Sequence, residues 1–274
     1  LVRAARESLY ALSEVPEWQV IATTHSPVFI DVSKPHTTIV RIARGGGAQP
    51  RVFSTERAQF TEEERENLRM IRLCHPTVNE FFFANVVWLV EGETEQAVFS
   101  ELLQRSKDGR AKGVHVVNCM GKANLPVFAR ILNQFRTPYV VIHDSDSPRI
   151  QRNGKWQRSG MWTVNEQLLR VVDAGDKEVS RTLVVHVPNF ERYHFGRDLT
   201  MDKPWEALSA LREAGSSTRS EAERLLGSVD AILDGTHEGF YSTLNELIAK
   251  VQQWVRSNNP MPSEAWVLDG DSGV

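Results

Sequence analysis

Val86-Val87-Trp88-Leu89-Val90-Glu91-Gly92-Glu93-Thr94-Glu95 and Tyr139-Val140-Val141-Ile142-His143-Asp144-Ser145-Asp146-Ser147 share one pattern. Each is an apolar run rich in β-branched residues that ends in carboxylates. Such a run reads as a buried strand, and the carboxylates after it sit at the strand's C-terminal edge. In open parallel sheets that edge is where ligands bind. Acids gathered there repel one another unless they are protonated or neutralised by a cation. Oxygen donors suit Mg²⁺ or Mn²⁺. The two stretches therefore point to metal-dependent chemistry on phosphates.

The flanking sequence alternates between the two periodicities. Strand 86–90 is followed by a helix over 93–104, a strand over 114–117, a helix over 125–135 and a strand over 139–143. After an insertion come a helix over 162–172 and a strand over 183–187. This order predicts an α/β fold with a mostly parallel sheet flanked by helices. From Met201 onward the pattern is largely helical. Pro204-Trp205-Glu206 opens one helix, with Pro at an early position, and 240–255 reads as another. Upstream of the sheet, a helical pattern at the start leads to a strand over 19–24. A strand pair flanks Gly45-Gly46-Gly47, whose glycines suit a hairpin connection. Thr61 and Glu64 form a capping box for a charged helix over 61–74. Three regions are expected: 1–75, 76–200 and 201–274.

Bulk properties narrow the classes. The chain has 274 residues, 41% of them hydrophobic, which suits a globular protein and not a disordered one. Its net charge of −3 means that a nucleic acid must be met by a local basic patch. No apolar stretch is long enough to span a bilayer. Cys74 and Cys119 form no metal or redox motif, which fits a reducing cytosol. There is no signal peptide and no initiator Met, so the chain reads as part of a longer protein.

Several residues invite a chemical role beside a plainer one. Glu91 and Glu95 lie four apart, across a loop and the first helical turn, so both fall on one face. Glu93 is better explained by the helix dipole. Asp144 and Asp146 alternate at the end of their strand, where an Asp-rich turn is the plain alternative. Gly121-Lys122 follows the second strand at the same edge, so Lys122 either touches a phosphate or belongs to an ordinary turn. It is no P-loop, because Val116 stands where the first glycine is needed and Ala123 follows the lysine. His143 reads as a packed core histidine, and His194 as an outer neighbour of the acids. Arg149, Arg152, Lys155 and Arg158 form a basic stretch around Trp156, with a hairpin tip at Asn153-Gly154. It suits a DNA backbone, or is simply a solvated insertion.

A strand ending in Glu-Gly, followed by a strand ending in Asp-Ser-Asp, resembles the Toprim domain of topoisomerases, primases and recombination nucleases. The stretch from Phe82 to Glu95 sharpens the likeness to the OLD (overcoming lysogenization defect) family of nucleases, which join an ABC-type ATPase to a C-terminal Toprim domain. Thr23-Thr24-His25-Ser26-Pro27 resembles the switch-histidine loop of such an ATPase. Pro188-Asn189-Phe190-Glu191 and Asp202-Lys203-Pro204 resemble the family's later acidic and lysine motifs.

The resemblance implies a Toprim-type sheet at 76–200, a helical region at 201–274 and a remnant of an ABC-type ATPase domain at 1–75. It makes Glu91, Glu95, Asp144, Asp146 and Glu191 ligands of one or two Mg²⁺ or Mn²⁺ ions. Two ions about 4 Å apart can stabilise both the attacking and the leaving oxygen. Lys203 would stabilise charge on the phosphate, or is a solvated lysine before a helix. DNA is the implied substrate, with Lys122, Arg149, Arg152, Lys155 and Arg158 as contacts. His25 would meet ATP only with residues absent from this chain, so the chain is expected not to hydrolyse ATP. The longer protein is a candidate homodimer. No tyrosine stands in a topoisomerase-like context, so a covalent DNA link is not expected. The rival reading is a non-catalytic Toprim-like module that binds DNA or a partner.

Overall fold

The computed structural model describes residues 2–31, 33–34, 37–44, 50–54, 60–74, 78–200, 202–212 and 216–268. The chain divides into two compact units, Leu1–Ala84 and Asn85–Val274.

In the first unit the elements are α1 (Val2–Ser13), β1 (Val40–Arg44), β2 (Pro50–Ser54) and α2 (Glu62–Cys74), with 3-10 turns at Pro27–Phe29 and Val78–Phe83. β1 and β2 pair antiparallel, with Ile42 opposite Val52. The glycine run expected to join them lies outside the described residues. The capping box of α2 is formed: Glu64 N–H donates to Thr61 Oγ1 at 3.2 Å, and Thr61 N–H donates to Glu64 Oε2 at 2.9 Å. Asn79 is buried and ties the two 3-10 turns, donating to the carbonyls of Pro27 (3.2 Å) and Ile30 (2.7 Å). The strand expected over 19–24 is absent. Those residues find no ladder among the described residues, and Ile21 is 84% exposed. An apolar β-branched run becomes a strand only where a neighbour takes its N–H and C=O groups.

The second unit holds β3 (Val86–Val90), α3 (Glu93–Arg105), β4 (Val114–Asn118), α4 (Leu125–Gln134), β5 (Tyr139–Asp144), β6 (Arg149–Arg152), β7 (Lys155–Arg158), α5 (Gly160–Asp173), β8 (Arg181–His186), α6 (Phe190–Phe195), α7 (Lys203–Arg212), α8 (Ser216–Asp234), β9 (Phe240–Tyr241) and α9 (Leu244–Asn258). Five strands form one sheet in the order β4-β3-β5-β8-β9. The first four are parallel and β9 is antiparallel. β6 and β7 make a separate hairpin. Its tip is Asn153-Gly154, both at positive φ, as a type I′ turn demands.

The central strands β3, β5 and β8 bury both faces, as a parallel sheet covered by helices requires. Trp88 and Val90 of β3, Val140 and Ile142 of β5 and Val184 of β8 pack into one cluster with residues of α3, α7 and α8. Val87, Leu89 and Val141 point to the other face and are fully buried; α4 and α5 cover that side. The helix expected over 240–255 starts later. Phe240 and Tyr241 add the edge strand β9, and Thr243 caps α9 by accepting from Glu246 N–H at 3.2 Å.

The strand order sets the site. From β3 the chain crosses to β4 on one side, then returns to β5 on the other. The C-terminal ends of β3 and β5 therefore flank the point where the winding reverses, which is where doubly wound sheets leave a crevice. Glu91 follows β3, and Asp144 ends β5. No helix of the described residues is long and apolar enough to cross a membrane.

Candidate functional site

Two backbone hydrogen bonds join three acidic motifs that lie far apart in the sequence. Asp144 N–H donates to Glu91 Oε1 at 2.8 Å. Phe190 N–H, next to Glu191, donates to Asp144 Oδ1 at 2.8 Å. Asn189 starts α6 by accepting from Arg192 N–H at 2.9 Å, and this places Phe190 and Glu191 in its first turn. The ends of β3, β5 and β8 are thereby drawn to one locus.

The electrostatics of that locus are unfavourable for bare carboxylates. Burial pushes the Glu91 carboxyl up to about 8; Lys122 opposes the rise, and Asp146 and Glu95 add to it. Burial also holds Asp144 well above the ordinary carboxylate range, with Glu91, Glu95 and Asp146 adding repulsion. Glu95 is raised mainly by burial and then by Glu191; its own N–H and that of Gly92 act the other way. Gly92 has an ordinary extended φ of −142°, so left-handed freedom is not what selects it. A Cβ there would lie 3.2 Å from Glu95 Oε2, so a larger residue would press on the Glu95 carboxylate. Glu93 is exposed.

Two lysines partly neutralise the acids. Lys203 Nζ donates to Glu191 Oε1 at 2.7 Å. That bond raises the lysine's pKa. Its side chain stays 52% exposed while that of Glu191 is 11% exposed, so the ammonium is open to an incoming anion. Lys122 differs. Its side chain is 1% exposed, and its ammonium turns inward on the 144–146 loop. Of the two readings of Lys122, phosphate contact or ordinary turn residue, this burial favours the second, since the ammonium's donors meet the protein's own oxygens.

The oxygens of Glu91, Glu95, Asp144, Asp146 and Glu191 are hard donors that suit Mg²⁺ or Mn²⁺. The mutual repulsion of Glu91, Asp144 and Glu95 is what a cation would relieve. Among the described residues, however, no group of three or more His, Cys, Asp and Glu side chains stands together in a metal-holding arrangement.

The other expected residues fall around this centre or apart from it. His143 is 1% exposed, as a packed histidine should be. Its Nδ1 meets Asp144 O at 2.8 Å and its Nε2 meets Tyr241 Oη at 2.7 Å. A carbonyl only accepts, so Nδ1 carries the proton. Burial lowers the pKa of His143 to about 3. His194 is buried, with Nε2 at 3.1 Å from His186 Nε2. Arg152 and Lys155 are exposed on the β6–β7 hairpin, Arg149 is half-buried, and Arg158 pairs with Glu166 of α5. His25 lies in the first unit and is exposed.

Two asparagines were missed by sequence reasoning. Asn165 of α5 is fully buried and donates to Ser145 O at 3.1 Å; its Oδ1 has no partner among the described residues. Asn118 ends β4, where its Oδ1 accepts from Met120 N–H at 2.8 Å. An Asn within the apolar face of a helix was the available signal, since that residue type disfavours helix interiors.

Sheet order, acidic edge and the Glu-Gly and Asp-Ser-Asp termini together define a Toprim-type α/β domain. Residues 82–146 match the family model of the overcoming lysogenization defect protein-like TOPRIM domain, so the chain carries an OLD-like Toprim domain. A curated relative, the OLD nuclease of Thermus scotoductus, is 28% identical over 140 residues, which cover 50% of this chain and 26% of that protein. The chain thus spans about a quarter of the length of the curated relative it matches.

Proposed function

We propose that the second unit is a divalent-metal-dependent DNA endonuclease site, the nuclease part of a longer ATPase-nuclease. The observation that carries this reading is the pair of backbone hydrogen bonds joining Glu91, Asp144 and the Glu191 turn at the sheet's switch point. The likeness to a protein named OLD nuclease supports the reaction class. Glu91 and Asp144 would hold one Mg²⁺ or Mn²⁺; Glu95, Asp146 and Glu191 would serve a second. When bound, such ions supply Lewis-acid stabilisation to the attacked phosphodiester.

The chain's own residues supply the rest. Phe190 N–H and Asp144 N–H hold the Asp144 and Glu91 carboxylates in fixed directions, so little reorganisation is needed when charge develops. The Lys203 ammonium, half in solvent, would donate to a phosphate or leaving oxygen. Arg152 and Lys155 on the hairpin would track the sugar-phosphate backbone. Contacts of that kind position DNA without reading its sequence, so little base preference is expected. The test is plasmid nicking with Mg²⁺ or Mn²⁺ against an EDTA control, with Glu91→Ala and Asp144→Ala compared with the parent. Loss of nicking in both folded variants supports the reading, and undiminished nicking removes it.

One observation favours a second reading. Lysines already face Asp146 and Glu191, as in a scaffold that binds DNA without cutting it. Metal-independent DNA binding with no nicking under any divalent ion would establish that alternative.

A further inference from the structure

Lys122 is a charged side chain with almost no access to solvent, at 1% exposure. An ammonium has three N–H donors. Here they meet three oxygens of a single loop: Asp144 O at 2.5 Å, Ser145 O at 3.3 Å and Asp146 Oδ2 at 2.6 Å. A buried charge is retained at this cost only when it is paired and its donors are matched. The same loop is strained. Asp146 has φ +56°, a left-handed conformation unfavourable for a residue with a side chain. Asn165 holds the loop from the other side through Ser145 O, while Ser145 N–H donates to His186 O at 2.9 Å. The turn that carries Lys122 is itself tied to the first acidic motif, for Gly121 N–H donates to Glu91 O at 2.7 Å. Gly121 needs φ +113° to make that turn.

We propose that Lys122 is a built-in counterion that positions Asp146, engaging one carboxylate oxygen and leaving the other for a divalent cation. This inference rests on the reading of Asp146 as a cation ligand in the nuclease site. The Asp146 side chain is 37% exposed, so it remains accessible from solvent while Lys122 is not. Lys122 thus acts through Asp146 and does not touch DNA. A hydrogen-bonded partner of this kind fixes a ligand's orientation, and its loss weakens metal affinity about 10–100-fold.

Calorimetry of Mn²⁺ against the parent, Lys122→Met and the core variant Leu132→Ala tests this, at a temperature where all three are folded. Lys122→Met should bind Mn²⁺ about 10–100-fold more weakly, whereas Leu132→Ala should bind like the parent. Equal affinity in Lys122→Met and parent overturns the proposal, as does an equal loss in both variants. Should Lys122→Met not fold, the Mn²⁺-soaked crystal of the parent decides: Lys122 Nζ still on Asp146 supports the proposal, and a lysine displaced from Asp146 overturns it. Plasmid nicking separates the two readings. A parent that binds Mn²⁺ through Asp146 without nicking removes the nuclease and leaves the role of Lys122 standing. A parent that binds no Mn²⁺ overturns both.

Discussion

Residues 19–24 and 86–90 both carry β-branched residues that suggest a strand, and they differ in structure. The first has three apolar residues among six, and the second is apolar throughout. Val87, Leu89 and Val90 are fully buried between β4 and β5, whereas Ile21 is 84% exposed and unpaired within the described residues. The difference teaches that a strand belongs to a sheet rather than to a segment. It also bears on chemistry. The acidic group after β3 has a neighbouring strand end to converge with, while His25, after the 19–24 run, is exposed.

The largest expected contrast is functional. Glu91→Ala and Asp144→Ala should lower nicking by more than about 100-fold, since losing a ligand exceeds losing its outer partner. His25→Ala should leave nicking by this chain unchanged. Equal losses from all three would erase the distinction between the two units. The second contrast is thermodynamic. Trp88→Ala empties a site that is 1% exposed and should cost about 3–5 kcal/mol in denaturant unfolding of the second unit. Ile21→Ala, at an exposed position, should stay within about 0.5 kcal/mol.

The third contrast is in pH. The Glu91 carboxyl is raised from 4.5 to about 8 in the folded protein. The native state then holds its proton more tightly than the unfolded state, so the contribution of Glu91 to stability falls as pH rises between those values. Melting of the parent in EDTA should decline from pH 5 to about 8, and Glu91→Gln should flatten the decline. A profile rising over that window in the parent would contradict the burial of Glu91. The smallest effect belongs to the first unit. Thr61→Ala removes the cap of α2 and should cost about 1 kcal/mol of that unit's stability.

The parallel sheet was readable because each strand is an uninterrupted apolar run between helical patterns. Strand β9 was not, since two residues carry no periodicity, and its pairing with β8 is continued by Val185 N–H donating to Gly239 O at 3.0 Å, where a Cβ on residue 239 would meet Val185 O at 2.6 Å. At the site, the acidic residues were visible as types at strand ends. What the sequence did not reveal was direction. From the sequence Lys122 is either a phosphate contact or part of an ordinary turn, and nothing in the Gly-Lys pair decides between them. The geometry instead aims it into the protein, where Asp144, Ser145 and Asp146 take its three donors. Asn165 escaped notice because its partner, a loop carbonyl, has no sequence signature.

The central claim is that the ends of β3 and β5 and the Glu191 turn form a single cation-binding locus. The most direct measurement is an anomalous difference map from a crystal of this chain soaked in MnCl₂. Manganese should lie in contact with the carboxylates of Glu91 and Asp144, and the same soak of Asp144→Ala should lose it. A map with no manganese beside Glu91 and Asp144 in the parent, or with manganese bound equally in the variant, would contradict it.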